Sequence, residues 1–272
     1  NLALLYEAQG LYIKAEPLYL RALAIAEKAL GPEHPHTATT LNNLALLYDN
    51  QGLYNKCEPL YQRALAINEK ALGAEHPDTA ISLNNLAALY SRQGLYAKAE
   101  PLYIRALAII EKALGPDHST TAIAVNNLAH LYHSQGLYSK AEPLYLRSLS
   151  TREKFWGEEH PSTATGFNNL ALLYSNQGLY SKAGPLARRG LEIQFKLIQR
   201  ESPYLALSER QTYSRSFGTT HAHAFSGASR GSSGVNLALF ARLNRQGLLE
   251  EIERRQAQLA SLPGPQQEIA EE

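Results

Sequence analysis

Hydrophobic residues along this chain recur at helical spacing, in pairs of stripes separated by a polar break. In residues 32–73, Leu41, Leu44, Ala45 and Tyr48 fall at i, i+3, i+4 and i+7. That is one apolar face of a helix predicted from about Pro35 to Gln51. Gln51-Gly52-Leu53-Tyr54 interrupts it, with Gly52 as the breaker. Leu60, Tyr61, Ala64, Leu65 and Ile67 then mark a second helix, from about Tyr54 to Leu72. Pro35 suits a first helical position, where its missing N–H costs nothing. Pro59 lies within the first turn and a half of the second helix, where it removes at most one backbone bond. Small side chains at Ala45, Cys57 and Ala64 let the two helices approach closely. No stretch of the unit alternates with the period of two that a half-buried strand requires.

The whole pattern returns every 42 residues. Asn1, Asn43, Asn85, Asn127 and Asn169 share one register, as do Gly10, Gly52, Gly94, Gly136 and Gly178, and Pro17, Pro59, Pro101, Pro143 and Pro185. A helix pair cannot bury its stripes alone, so a fixed period of this length predicts stacked units. The expected fold is all-α: a right-handed superhelical solenoid of antiparallel helix pairs, followed by additional helices. A partial unit occupies 1–31, and complete units occupy 32–73, 74–115, 116–157 and 158–199. In the fifth unit Gly184 and Gly190 stand where other copies carry Glu and Ala (Ser148 in the fourth unit). Each costs roughly 1 kcal/mol of helix propensity relative to Ala, which reads as decay of the array. Ser202-Pro203 then reads as the cap and first residue of a short closing helix, assigned to 200–217. Residues 218–234 read as a flexible linker, and 235–272 as a helical segment with Leu237, Phe240, Leu243, Leu248, Ile252 and Leu259 as its apolar set.

Charge excludes several partner classes. Lys+Arg is 26 and Asp+Glu 25, which gives no electrostatic case for nucleic acid or anionic lipid. No run of about 18 apolar residues is present, so no membrane span is expected. A single cysteine, Cys57, excludes an intrachain disulfide framework and fits a reducing, cytoplasmic compartment. Met is absent and Asn1 falls inside a repeat, which reads as an internal fragment of a longer chain.

The recurring asparagine is the main functional lead. At 100° per residue, Thr39, Asn43, Leu46 and Asn50 fall opposite the packed stripe, with Asn42 and Asp49 at its flank. The Asn43 series therefore projects into one shared surface. Asn offers two donors and an acceptor, which suits an extended peptide backbone with no ladder of its own. Alternatively the series caps or bridges neighbouring helices, which would also repeat in every unit. For the adjacent series Asn42, Asn84, Asn126 and Asn168, bridging is the favoured reading. Neighbouring positions vary while the scaffold does not. The site of Leu46 holds Leu4, Ala88, His130 and Leu172; that of Asp49 holds Glu7, Ser91, His133 and Ser175; that of Asn50 holds Ala8, Arg92, Ser134 and Asn176. A uniform ladder with variable neighbours is what peptide selectivity needs. The expected peptide-binding set is Asn1, Asn43, Asn85, Asn127, Asn169, Leu46, Asn50, Arg92, His130 and His133.

Other polar series carry no chemistry. His130 and His133 could share a metal at i, i+3, but no third ligand sits nearby, so both read as groove lining. His34, His76, His118 and His160 recur with the linker and read as structural corners. The second helices carry two basic series, typified by Lys56 and Arg63, with Glu58 among them, which predicts an ion-paired face rather than an anion site. Cys57 replaces the alanine of sibling units and reads as a packed small residue. No catalytic residue, metal site or cofactor is assigned, and the chain reads as non-enzymatic.

Asn-Leu-Ala-x-x-Tyr, followed by Gln-Gly-Leu-Tyr-x-Lys-Ala-Glu-Pro-Leu-Tyr-x-Arg-Ala-Leu, resembles the tetratricopeptide repeat. The 42-residue length and the Leu-Gly-x-Glu-His-Pro-x-Thr link resemble its kinesin light chain subfamily, over residues 1–199. The resemblance implies a superhelix whose first helices line a concave groove for peptides or protein segments. In tetratricopeptide proteins, including the O-linked N-acetylglucosamine transferase, a matching asparagine ladder grips peptide main chain, and the Asn43 series occupies those positions. Chaperone-tail receptors of this fold carry a lysine clamp for a terminal carboxylate; Asn42 and its equivalents occupy a clamp site, which argues against that ligand class. A long repeat array followed by Leu-Ala-Leu-Phe-Ala-Arg-Leu-Asn-Arg-Gln-Gly-Leu-Leu-Glu-Glu-Ile-Glu resembles the segment preceding the caspase-like (CHAT) module of bacterial, especially cyanobacterial, proteins, a resemblance that covers residues 200–272. That resemblance implies an alternative role: the sensor or substrate-presenting arm of a cysteine peptidase module lying beyond this fragment.

Overall fold

The computed structural model describes residues 2–201, in which ten α-helices and no strand occur. They are α1 (Leu2–Ala8), α2 (Tyr12–Leu30), α3 (Pro35–Asn50), α4 (Tyr54–Ala71), α5 (Pro77–Arg92), α6 (Tyr96–Leu114), α7 (Ser119–Ser134), α8 (Tyr138–Trp156), α9 (Pro161–Asn176) and α10 (Tyr180–Glu201). The expected linker (218–234) and C-terminal helical segment (235–272) lie outside the described residues, as do Asn1 and all but the first two positions of the expected closing helix (200–217). The chain divides within α8 into two compact units: Asn1–Thr151, and the chain from Arg152 onward.

In the first unit each helix packs on the next, α1 on α2 through α6 on α7, and the first helices also touch, α3 on α5 and α5 on α7. Ala38, Leu41, Ala64 and Ile67 form one buried cluster, and Leu23 from the preceding repeat closes it. Ala80, Leu83, Ala106, Ile109 and Ile110 form the next, closed by Leu65 in the same way. Each core therefore straddles a repeat boundary, which is why a single pair cannot be self-sufficient. Burying one such aliphatic side chain is worth about 1.5–3 kcal/mol.

The recurring polar residues close the helix ends. At the end of α3 the Leu53 N–H reaches Tyr48 O at 2.9 Å and the Gly52 N–H reaches Asp49 O at 2.9 Å, a Schellman motif. Gly52 sits at φ +71°, the left-handed region in which a Cβ is strained. At the start of α3, His34 Nδ1 accepts from the His36 N–H at 3.1 Å, and the Thr37 hydroxyl donates to Gly31 O at 2.9 Å. His76, His118 and His160 repeat this cap on Asp78, Thr120 and Ser162. The linker histidines are thus N-caps, and the threonine two residues after each proline-type position fastens the helix to the glycine before it.

Within the second unit α9 packs on α10, with Leu170, Leu173, Leu191 and Ile193 buried. Gly190 is a fitted residue rather than a sign of decay. A Cβ there would stand 2.2 Å from Asn168 Oδ1 and 3.3 Å from the Ala164 carbonyl oxygen. Gly184, by contrast, faces open space.

Candidate protein-binding face

In the first unit α3, α5 and α7 present their unpacked stripes to solvent. Thr39, Leu46 and Asn50 on α3, Ile81 and Arg92 on α5, and Ile123, His130 and Ser134 on α7 are exposed, with Asn43, Asn85 and Asn127 half-buried among them. Leu46 is 41% exposed, Ile81 50% and Ile123 47%. Ile81 and Ile123 are absent from the sequence-predicted set. They occupy the register of Thr39, four residues before the asparagine, so the same helical wheel places them on this face.

The asparagines of the ladder are not equivalent. The Asn43 and Asn85 side chains form no hydrogen bond with any described residue. Asn127 Nδ2 donates to Asn84 Oδ1 at 2.8 Å, bridging α5 and α7. Asn169, in the second unit, is also engaged. Two members of the adjacent series bridge: Asn84 accepts the bond from Asn127, and buried Asn42 donates to Ser82 Oγ at 3.3 Å, an oxygen that also accepts from Asn68 of the second helix at 3.0 Å.

Two further rungs tie neighbouring first helices. Asn50 Nδ2 donates to Glu7 Oε1 at 2.9 Å. Arg92 Nε donates to Asp49 Oδ1 at 3.0 Å while its Nη2 contacts Oδ2. The Asp49 side chain is only 1% exposed, so Arg92 compensates a buried carboxylate. Both rungs join one position of a repeat to the preceding position of its neighbour, a relation the repeat alignment alone conceals. His133, expected to line the groove, is instead buried, with Nδ1 3.4 Å from Tyr145 Oη and its ring 5.8 Å from that of Tyr138. Burial, with the neighbouring His130 charge, lowers its pKa below the ordinary imidazole value. Its place at the flank of the stripe lets it rotate into the seam with α8. Among the described residues no group of three His, Cys, Asp or Glu could hold a metal ion.

The basic series of the second helices are occupied as well. Lys56 Nζ lies 4.8 Å over the Tyr48 ring, and Lys98 and Lys140 lie 5.1 and 5.0 Å over Tyr90 and Tyr132. The same tyrosines donate to Glu16, Glu58 and Glu100 of the preceding repeat, at 2.7, 2.9 and 2.7 Å. Burial and the Glu16 carboxylate push the Tyr48 phenol up to about 12. Arg63 and Arg105 pair with Glu27 and Glu69 at 2.7 and 2.6 Å. The ion-paired face is therefore present, with a cation–π contact for each of these lysines that charge patterning does not reveal. Cys57 is fully buried, and burial raises its thiol to about 11. Among the described residues no helix is long and apolar enough to cross a membrane.

The tetratricopeptide repeat model matches residues 1–56, 47–112, 82–154 and 120–194. No curated protein matches the sequence. Among solved structures, BtubC (BKLC) from P. vanneervenii is 30% identical with a TM-score of 0.62, covering 72% of this chain and 78% of its own. A point variant of a Podosopora anserina protein named for the kinesin light chain, with nearly identical TPR-like repeats, is 30% identical with a TM-score of 0.62, covering 73% and 93%. A Rap protein complexed with Competence and Sporulation Factor shares the fold alone, at 18% identity, a TM-score of 0.62, and coverage of 94% and 74%. Repeat matches over most of its length, on an all-helical solenoid of packed pairs, establish that the chain belongs to the tetratricopeptide repeat family.

Proposed function

We propose that this chain is a non-enzymatic interaction scaffold that binds an extended peptide or protein segment along the face formed by its first helices. The observation that carries this reading is the pair of open amides on Asn43 and Asn85. A side-chain amide half-withdrawn from water with no partner among the described residues gains little from folding and is ready for a ligand backbone. Leu46 and His130 flank the ladder and contact ligand side chains. Asn50, Arg92 and Asn127 act mainly by fixing one first helix against the next, since each already holds a partner. His133 supports the face from beneath. The role as the arm of a CHAT-type peptidase rests on the sequence resemblance over residues 200–272, and the coding sequence following Glu272 decides it.

Fluorescence polarisation of labelled extended peptides against the purified chain tests the reading. Saturable binding, competed by unlabelled peptide, is expected from a subset of sequences. A library that yields no saturable binder would reject the scaffold role.

A further inference from the structure

The stripe between the asparagines differs from repeat to repeat in one respect that bears on ligand choice. Thr39 and Thr165 satisfy their hydroxyls on their own helices, at Pro35 O (3.3 Å) and Pro161 O (3.2 Å). In the two units between them the same register carries Ile81 and Ile123, aliphatic side chains half in water on adjacent first helices. Their helices are held together beside them by the Asn127–Asn84 bond. Charge is scarce on this face: the Asp, Glu, Lys and Arg residues of α3, α5 and α7 are Asp49, Asp78 and Arg92 alone. Asp49 and Arg92 neutralise each other, and Asp78 sits in the first turn of α5, at the rim.

We infer that the segment this face selects is uncharged and extended, and carries aliphatic side chains that pack on Ile81 and Ile123 beside the Asn85 amide. The inference rests on the proposed groove and adds its specificity. A charged ligand side chain would lose water here and find no free counter-charge, so it is rejected. An aliphatic one covers the isoleucine methyls, while Asn85 takes the main chain between them. Packed helices lie about 8–10 Å apart, and in an extended chain side chains two residues apart share one face with about 6.6 Å between their Cα atoms, so an aliphatic pair at i and i+2 reaches both isoleucines.

The test uses four labelled peptides built on one uncharged Ser/Thr/Asn frame, with two positions two residues apart, on one face of the extended chain, set to Leu, Ser, Lys or Glu. They are titrated against the wild-type chain, Ile81→Thr/Ile123→Thr and Asn43→Ala/Asn85→Ala. The Thr variants carry what sibling repeats already hold at an exposed site, and an unchanged thermal midpoint verifies that they fold. The Leu peptide is expected to bind the wild type about tenfold or more tighter than the others, and the Thr variant is expected to reduce that preference to about threefold or less. If the Lys or Glu peptide binds as well as the Leu peptide, or the preference survives in the Thr variant, the specificity is wrong although the groove stands. If no peptide binds the wild type, or the Asn variant binds all four unchanged, the groove itself is wrong and the specificity falls with it.

Discussion

Asn127 donates its amide to Asn84 Oδ1 at 2.8 Å, whereas the side chain of Asn85, one repeat earlier in the same register as Asn127, bonds to nothing among the described residues. One residue type at one repeat position thus performs two tasks. Asn127→Ala removes a half-buried hydrogen bond between α5 and α7 and leaves the Asn84 oxygen without that donor. A net loss of about 0.5–1.5 kcal/mol is expected, lowering the thermal midpoint by roughly 1–6 °C. Differential scanning calorimetry on the single variant measures it, and an unchanged midpoint would show the bridge to be incidental.

Gly190 and Asn168 form the second testable pair. Alanine at 190 gains about 1 kcal/mol of helix propensity, but its Cβ falls 2.2 Å from Asn168 Oδ1 and close to the Ala164 carbonyl. The two effects separate in a double-mutant cycle. Gly190→Ala should be more favourable in an Asn168→Ala background than in the wild type by about 1 kcal/mol or more. Denaturant melts of the four proteins give the coupling, and additivity would mean that Asn168 moves aside at no cost.

Burial of His133 makes stability pH-dependent in a definite direction. The folded pKa lies below the unfolded value of about 6.5, so the unfolded chain takes up the proton first. Stability contributed by neutral His133 is fully present above that value and declines as pH falls from it toward the lower folded pKa. His133→Gln keeps a hydrogen-bonding side chain beside Tyr145 without titrating. Its stability should fall less steeply than the wild type's below about pH 6.5, and parallel curves would place the titration elsewhere.

Cys57 should be chemically silent in the native chain. Its thiol is buried and raised to about 11, so at about pH 8 almost no thiolate is present or accessible. A disulfide-exchange reagent should titrate one thiol only after denaturant is added, and Cys57→Ala should leave the melt nearly unchanged, as alanine occupies Ala15, Ala99, Ala141 and Ala183. Rapid native labelling would contradict this packing.

Much of this architecture is legible before folding because the repeat turns weak local signals into a strong one. Leu41, Leu44, Ala45 and Tyr48 mark the buried stripe, Gly52 its end and Pro35 its start; the observed α3, Pro35–Asn50, stops one residue short of expectation. What stays hidden depends on side-chain direction and on pairs one register out of step. Asp49 meets Arg92, and Glu7 meets Asn50, because neighbouring first helices are offset by one position, which an in-register comparison of repeats cannot display. His133 shares its register with Asp49, yet it turns toward Tyr145 while Asp49 meets Arg92. Gly190 looks like a helix defect until Asn168, in the preceding helix, is seen to fill the space its side chain would need.

The central claim, that the open amides of the first-helix face hold a ligand main chain, is tested most directly by Asn43→Ala/Asn85→Ala. Neither side chain is bonded to a described residue and both lie away from the packed stripe, so truncation leaves no cavity and breaks no bond among the described residues. Losing a ligand hydrogen bond at each, worth about 0.5–1.5 kcal/mol, should weaken peptide affinity by about 5- to 150-fold while the thermal midpoint stays within about 2 °C of wild type. Unchanged affinity with a depressed midpoint would contradict the account and make Asn43 and Asn85 scaffold residues.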